Sequence, residues 1–385
     1  MTLRRLLLLG GGHAHVHLLA RAARSRLSPA GATELVLVSP HERQLYSGMV
    51  PGFLQGSYAE GDLSFDLPAL AAAAGARWVQ APADRIDVAA RTVEAGGERI
   101  DFDLLSLDVG SAPAGLATRG VSEHALTVRP MSRAVALRQR AEELFAAGRD
   151  LEVAVTVVGG GAAGVEVALA LERLGRERSV LPRVTIVEAT AALVPEFSPR
   201  VRRIVREVLA QRGVRVATGQ PVTAVESEVV ELADATRLRS QLTVWIAGAG
   251  APELFARSDL PKDARGFLLV DATLRAVDGS PVFGAGDCIG LAGFPHLAKA
   301  GVYAVRQAPI LDFNLRAALT GGLTGGLTVD SPRLFRPQRS FLALLNSADG
   351  RAIWRWHGLA GHSRLAWWLK DRIDRGFMQR YQERR

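Results

Sequence analysis

Two glycine turns carry the residues best suited to chemistry in this chain. Gly10, Gly11 and Gly12, in LLLLGGGHAH, follow four consecutive leucines, and Gly159, Gly161 and Gly164, in VAVTVVGGGAAG, follow a second apolar run. A GxGxxG turn between a buried strand and a helix lets the backbone approach a pyrophosphate and aims helix N-terminal amides at it. The second turn has the full spacing, whereas the first carries His15 at its third position. Two such units imply two dinucleotides in one chain. In each unit the next strand ends where a side chain can reach a ribose. Glu188, closing RVTIVE, is placed to bind the two ribose hydroxyls of NADH and to repel the extra phosphate of NADPH. Ser39, closing ELVLVS, offers a weaker hydroxyl contact. His13, His15 and His17 alternate, a spacing that does not put all three on one helical face, so no metal site is expected.

The elements that must position these residues read as α/β. Leu6–Leu9 has no polar alternation, as expected for a strand buried on both faces of a parallel sheet. The spacing predicts a helix from about Ala14, a glycine-bearing loop at Tyr46–Gly52, a short helix over Pro68–Ala74, an alternating segment Arg85–Val93 and a buried strand over Phe102–Gly110. A helix of mixed charge from about Ala125 to Gly148 leads into the second unit, whose helix runs from Val165 to Leu174. Leu242–Gly250 and Ser280–Asp287 are further strands ending in glycines. GGLTGG, residues 321–326, reads as a flexible linker. In the tail, Leu365, Leu369, Ile373 and Phe377 recur every four residues beside Trp368 and form one apolar helical stripe.

Composition bounds the class. The chain has 385 residues, 48% of them hydrophobic, enough for two to three domains. One cysteine excludes an internal disulfide and points to a reducing, cytoplasmic setting. No apolar stretch is long enough to span a membrane. The net charge of +8 is compatible with nucleic acid, an anionic membrane or an anionic cofactor. No nucleic-acid signature accompanies it, and no nucleic-acid partner is expected.

These motifs resemble the two-dinucleotide-binding-domain flavoproteins, the pyridine nucleotide-disulfide oxidoreductase superfamily, over roughly residues 3 to 320. GGGHAH at 10–15 resembles the FAD turn, GGGAAG at 159–164 the nicotinamide-nucleotide turn, and VFGAGDC at 282–288 the second flavin motif, whose aspartate falls on Asp287. LSLDVGS at 105–111 is similar to the ATG strand, with Asp108 and Val109 replacing the usual small and hydroxyl residues. Within the superfamily the chain resembles type II NADH dehydrogenases and the NADH-dehydrogenase-like proteins fused to selenophosphate synthetase, the latter in LLLLGGGHAHVH, LYSGMVPG, KAGVYAVRQ and LKDRIDRGFM. The resemblance implies two Rossmann-like domains plus a C-terminal helical or interface segment. Their limits would be 1–124 and 256–325 for FAD, 125–255 for NAD(P)H and 326–385 for the tail.

The turns and the resemblance together give the expected cofactor-binding set. It comprises Gly10, Gly11, Gly12, His13, Ala14, Ser39, Pro40, Ser47, Ala83, Gly110, Gly159, Gly161, Ala162, Ala163, Gly164, Glu188, Gly248, Gly286 and Asp287, with Lys299 either an electrostatic group for the reduced flavin or a surface lysine. The cofactors implied are FAD and NADH. Disulfide and sulfide:quinone reductases use paired cysteines, and with Cys288 alone, read as a packing residue, hydride transfer from NADH to flavin remains. Type II dehydrogenases carry two glutamines beside the quinone, whereas Val302 and Arg306 stand there in this chain and Lys299-Ala300-Gly301 looks like the sulfide:quinone reductase pattern. An enzyme passing electrons to a quinone, a soluble NADH-dependent flavin reductase serving another acceptor, as the selenophosphate synthetase fusions would imply for selenium metabolism, and a non-enzymatic dinucleotide sensor therefore stay open. The tail resembles the region through which type II dehydrogenases dimerise and rest on the membrane. From residue 364 to 385 it holds seven basic and three acidic side chains, suiting the inner face of the cell membrane.

Overall fold

A computed structural model describes residues 4–25, 27, 33–148, 151–320, 331–338 and 340–382. The four leucines lie at 0–2% exposure in the Arg4–Leu9 strand. Burying each is worth about 1.5–3 kcal/mol. This strand is central in a five-stranded, wholly parallel sheet, flanked by Thr33–Val38 and then Arg77–Val79 on one side, and by Leu104–Leu107 and then Val282–Gly284 on the other. A segment distant in sequence thus completes the first sheet. The second five-stranded parallel sheet orders Ala125–Thr127, Leu242–Trp245, Glu152–Val158, Leu181–Glu188 and Arg215–Thr218. A short antiparallel ladder, Ala112–Pro113 with Ala249–Gly250, ties the two halves together.

The structure revises several expected elements. Tyr46–Gly52 is not a loop: Ser47–Met49 forms a single 3-10 turn that runs into a buried helix, Val50–Leu54. The expected 125–148 helix starts only at Arg133, because Ala125–Thr127 is taken by the second sheet. The short helix spans Leu67–Ala73, and Asp66 caps it by accepting the Ala69 N–H at 2.9 Å. Residues 321–326 lie outside the described residues.

The tail also contains an antiparallel sheet that the sequence did not announce, Ala343–Asn346, Ala352–Trp356 and Leu359–Ser363, which runs directly into the Arg364–Gln382 helix. That helix docks on its own chain. Ala366, Lys370, Asp374, Phe377 and Met378 face inward, with Phe377 stacked on Tyr46 at 4.6 Å between ring centroids. The His17 ring nitrogen meets the Tyr381 hydroxyl at 3.1 Å, and the Lys370 ammonium bonds both Asp374 and the Gly48 carbonyl at 2.8 Å. The expected stripe therefore splits. Phe377 is buried, whereas Leu365 (71%), Trp368 (56%) and Ile373 (46%) are exposed.

Candidate functional site

One continuous cleft of about 2110 Å³ runs between the two parallel sheets. Every residue of the expected cofactor and catalytic set lines it except Ala14, which is fully buried behind the first turn. The structure thus brings Gly10, Gly11, Gly12, His13, Ser39, Pro40, Ser47, Ala83, Gly110, Gly286, Asp287 and Lys299 into one space with Gly159, Gly161, Ala162, Ala163, Gly164, Glu188 and Gly248.

At the first turn, Gly10 has φ +91°, a conformation open mainly to glycine. Gly12 is constrained differently: a Cβ there would lie 2.2–2.3 Å from the Asp108 carboxyl atoms. That carboxyl accepts the Ala14 N–H at 2.8 Å and, more loosely, the His15 N–H at 3.4 Å, so it caps the His13–Ala22 helix. Burial pushes Asp108 up to about 7. The third motif position also has a local reason. In the second unit the Gly164 Cβ position lies 1.8 Å from the Gly159 carbonyl, a close approach only glycine permits. In the first unit His15 solves the same contact with a hydrogen bond, its Nδ1 at 2.6 Å from the Gly10 carbonyl and its Nε2 at 2.8 Å from the Ser106 hydroxyl. Burial lowers His15 to about 4, so the ring is neutral, with Nδ1–H donating and Nε2 accepting.

At the second turn the Glu188 carboxylate accepts the Gly160 N–H at 2.7 Å and the Thr190 N–H at 2.8 Å, which fixes it at the rim of the turn. The positions where a Cβ would stand on Gly110 and Gly161 meet no atom within 4 Å, although both residues line the cleft. Such open glycine faces fit a cofactor lying against the backbone.

Asp287 pairs with Arg129 at 3.6 Å, and burial raises its carboxyl. Lys299 is engaged by the protein, donating to the Ile289 carbonyl and sitting 3.7 Å from the centre of the Phe267 ring. Burial lowers its ammonium. Cys288 is fully buried, its thiol facing the Ala285 carbonyl at 3.1 Å and pushed up to about 12 by burial. Such a thiol is a packing group with negligible thiolate at neutral pH. Cys288→Ser should retain most turnover in steady-state assays, and loss of activity with flavin still bound would show that the sulfur takes part.

His13 packs edge-on against Tyr46 and Phe65. No group of three metal-binding side chains comes together among the described residues.

Sequence reasoning missed Glu166. It lies on the Ala162–Glu177 helix just behind the second turn, lines the cleft and accepts the Asn346 N–H at 2.7 Å. Burial pushes its carboxyl up to about 7, against the opposing pull of Lys370. The available signal was one acid in an otherwise apolar helical run, GVEVALAL.

Known proteins resemble this chain in sequence or in fold. An NADH dehydrogenase-like protein of Mycobacterium tuberculosis is 31% identical over 74% of this chain and 72% of its own length. The demethylphylloquinone reductase of Synechocystis is 26% identical over 82% and 80%. Among solved structures, the sulfide:quinone oxidoreductase of Aquifex aeolicus superposes with TM-score 0.79 at 16% identity, covering 98% of this chain and 91% of that one. NDH2 of Plasmodium falciparum in complex with NADH gives 0.75 at 13% identity, covering 99% of each. These two structures speak for the fold. The family model described as pyridine nucleotide-disulphide oxidoreductase matches residues 4–308, and the chain belongs to that family.

Proposed function

We propose that this protein is an FAD-dependent oxidoreductase that oxidises NADH and passes two electrons to a quinone, without a redox disulfide. The observation that carries this reading is the single cleft joining both glycine turns, with the only cysteine buried and protonated beneath it. The overall change balances as NADH plus a proton plus quinone giving NAD⁺ plus quinol.

FAD, when bound, supplies the hydride-accepting and electron-releasing chemistry. The chain supplies the rest. Gly10–Gly12 and Asp287 hold the flavin nucleotide in the unit built on strands from 4–107 and 282–284. Gly159–Gly164 and Glu188 hold NADH in the unit built on strands from 125–245, with Glu188 orienting the ribose. Glu166, poised near neutrality on the cleft wall, exchanges the proton that quinol formation consumes.

Stopped-flow absorbance tests the reading. NADH should bleach the flavin, and a quinone should reoxidise it faster than a soluble dye or oxygen does. Bleaching without reoxidation by quinone would overturn it. Glu166→Gln should slow quinone turnover roughly 10²-fold at neutral pH while leaving flavin bleaching by NADH in place.

The tail reads as a peripheral membrane contact on the inner face of the cell membrane. No described helix is long and apolar enough to cross a bilayer. Leu365, Trp368 and Ile373 turn outward instead, and Arg372 lies 5.7 Å from the Trp368 ring, which suits a headgroup layer. Lys370 adds nothing to this attraction, because it is spent on Asp374 inside the fold. Trp368→Glu with Ile373→Glu should abolish flotation with anionic vesicles and leave reduction of a soluble dye intact. Unchanged flotation, or a dimer that dissociates in this variant, would make the face a contact between two copies.

A further inference from the structure

Two arginines at the tail side of the cleft have ring contacts but no carboxylate partner among the described residues. Arg306, on the Gly301–Leu319 helix, and Arg355, on the Ala352–Trp356 strand, both line the cleft. Their guanidinium carbons lie 5.8 Å and 5.2 Å from the centre of one ring, Phe341, and Arg355 also lies 5.0 Å from the Phe197 ring. Arg306 Nη1 and Arg355 Nε are buried with no acceptor. Among the described residues neither side chain forms an ion pair, whereas Arg129, on the same cleft, is paired with Asp287. Two carboxylates that line the same cleft are already engaged, Asp374 by Lys370 and Glu166 by the Asn346 N–H.

Two half-buried cations set against one ring, each with a buried N–H and no acceptor, are costly unless an anion satisfies them. The shared aromatic ring gives that anion a flat partner. Guanidinium groups over a ring, with free N–H donors, suit a planar aromatic bearing a carboxylate or sulfonate, bound by stacking and charge-assisted hydrogen bonds. The helix that bears Arg306 also reaches the flavin motif, since Gln307 accepts the Gly286 N–H at 2.7 Å. An acceptor seated on these arginines therefore lies on the wall next to the flavin motif.

We infer that Arg306 and Arg355, converging on Phe341, form an anion subsite that selects an acidic quinone, one carrying a carboxylate or similar group on its ring, over a neutral one. This rests on the quinone-reductase reading and names the class of acceptor within it.

The test uses the FAD-loaded full chain with two matched probes, 1,4-naphthoquinone-2-sulfonate and 1,4-naphthoquinone. The sulfonate should have a kcat/KM at least roughly tenfold higher, and it should quench tryptophan emission of the oxidised protein at correspondingly lower concentration in the absence of NADH. Arg306→Gln and Arg355→Gln should each bring the ratio of the two kcat/KM values close to one and weaken the quenching. Arg306→Lys should restore part of the preference. Equal kcat/KM and equal quenching by the two probes in the unaltered protein would overturn the subsite. Lost binding to phosphatidylglycerol vesicles in the Gln variants, with the probe ratio intact, would overturn it in favour of a lipid headgroup. Should NADH bleach the flavin and neither quinone reoxidise it, the quinone-reductase reading fails on its own, and the quenching titration still decides the subsite.

Discussion

Gly12→Ala is expected to yield a colourless protein. The added methyl would stand 2.2 Å from the Asp108 carboxyl carbon and 2.3 Å from both of its oxygens, in a pocket where Asp108 is 3% exposed and tied to the Ala14 N–H. Overpacking of this kind costs about 1–3 kcal/mol, and here the cost falls on the helix end that we propose holds the flavin pyrophosphate. Absorbance near the flavin bands after gel filtration reads the result. Normal flavin content would contradict the assignment of this turn. Gly12→Ala combined with Asp108→Ala should recover part of the colour, because the second change removes the obstructing carboxyl.

Discrimination between the two nicotinamide nucleotides should be the second large effect. The Glu188 carboxylate is fixed by two backbone N–H groups at the rim of the second turn. A 2′-phosphate about 4 Å away would be repelled by roughly 4 kcal/mol at an effective dielectric near 20, which corresponds to about a thousandfold in kcat/KM. Glu188→Gln keeps one oxygen acceptor and removes the charge, so NADPH turnover should rise while NADH turnover falls modestly. Equal kcat/KM for NADH and NADPH in the unaltered protein, or no shift in the variant, would remove Glu188 from the ribose site.

Both glycine turns and the strands before them were legible because their signals are local. A run of four leucines and a GxGxxG spacing express requirements within a dozen residues of chain. The reasons behind particular residues were less legible. Gly12 reads in sequence as room for a pyrophosphate, whereas its Cα faces Asp108, a partner far along the chain. His15 reads as a flaw in the motif, and only the positions of the Gly10 carbonyl and Ser106 show it as a second way to close the same contact. Glu166 gave one weak signal, since its standing depends on Asn346 and Lys370 arriving from the tail. The way the tail stripe divides was hidden for a related reason. Period-four apolar residues identify a helix, but a buried Lys370–Asp374 pair turned most of that stripe outward, and no apolar pattern encodes such a pair.

The contact between His17 and Tyr381 spans 364 residues of sequence, which gives the fold a timetable. At a synthesis rate of 5–20 residues per second, roughly 20 to 70 seconds separate the two ends of that contact. For most of that interval, from the synthesis of Phe65 until that of Phe377, the aromatic patch formed by His13, Tyr46 and Phe65 lacks the cover that Phe377 and Tyr381 give it. The nascent first domain must therefore wait, apolar face open, for the last helix to emerge, and a ribosome that stalls after the second sheet leaves behind a chain with that face still bare.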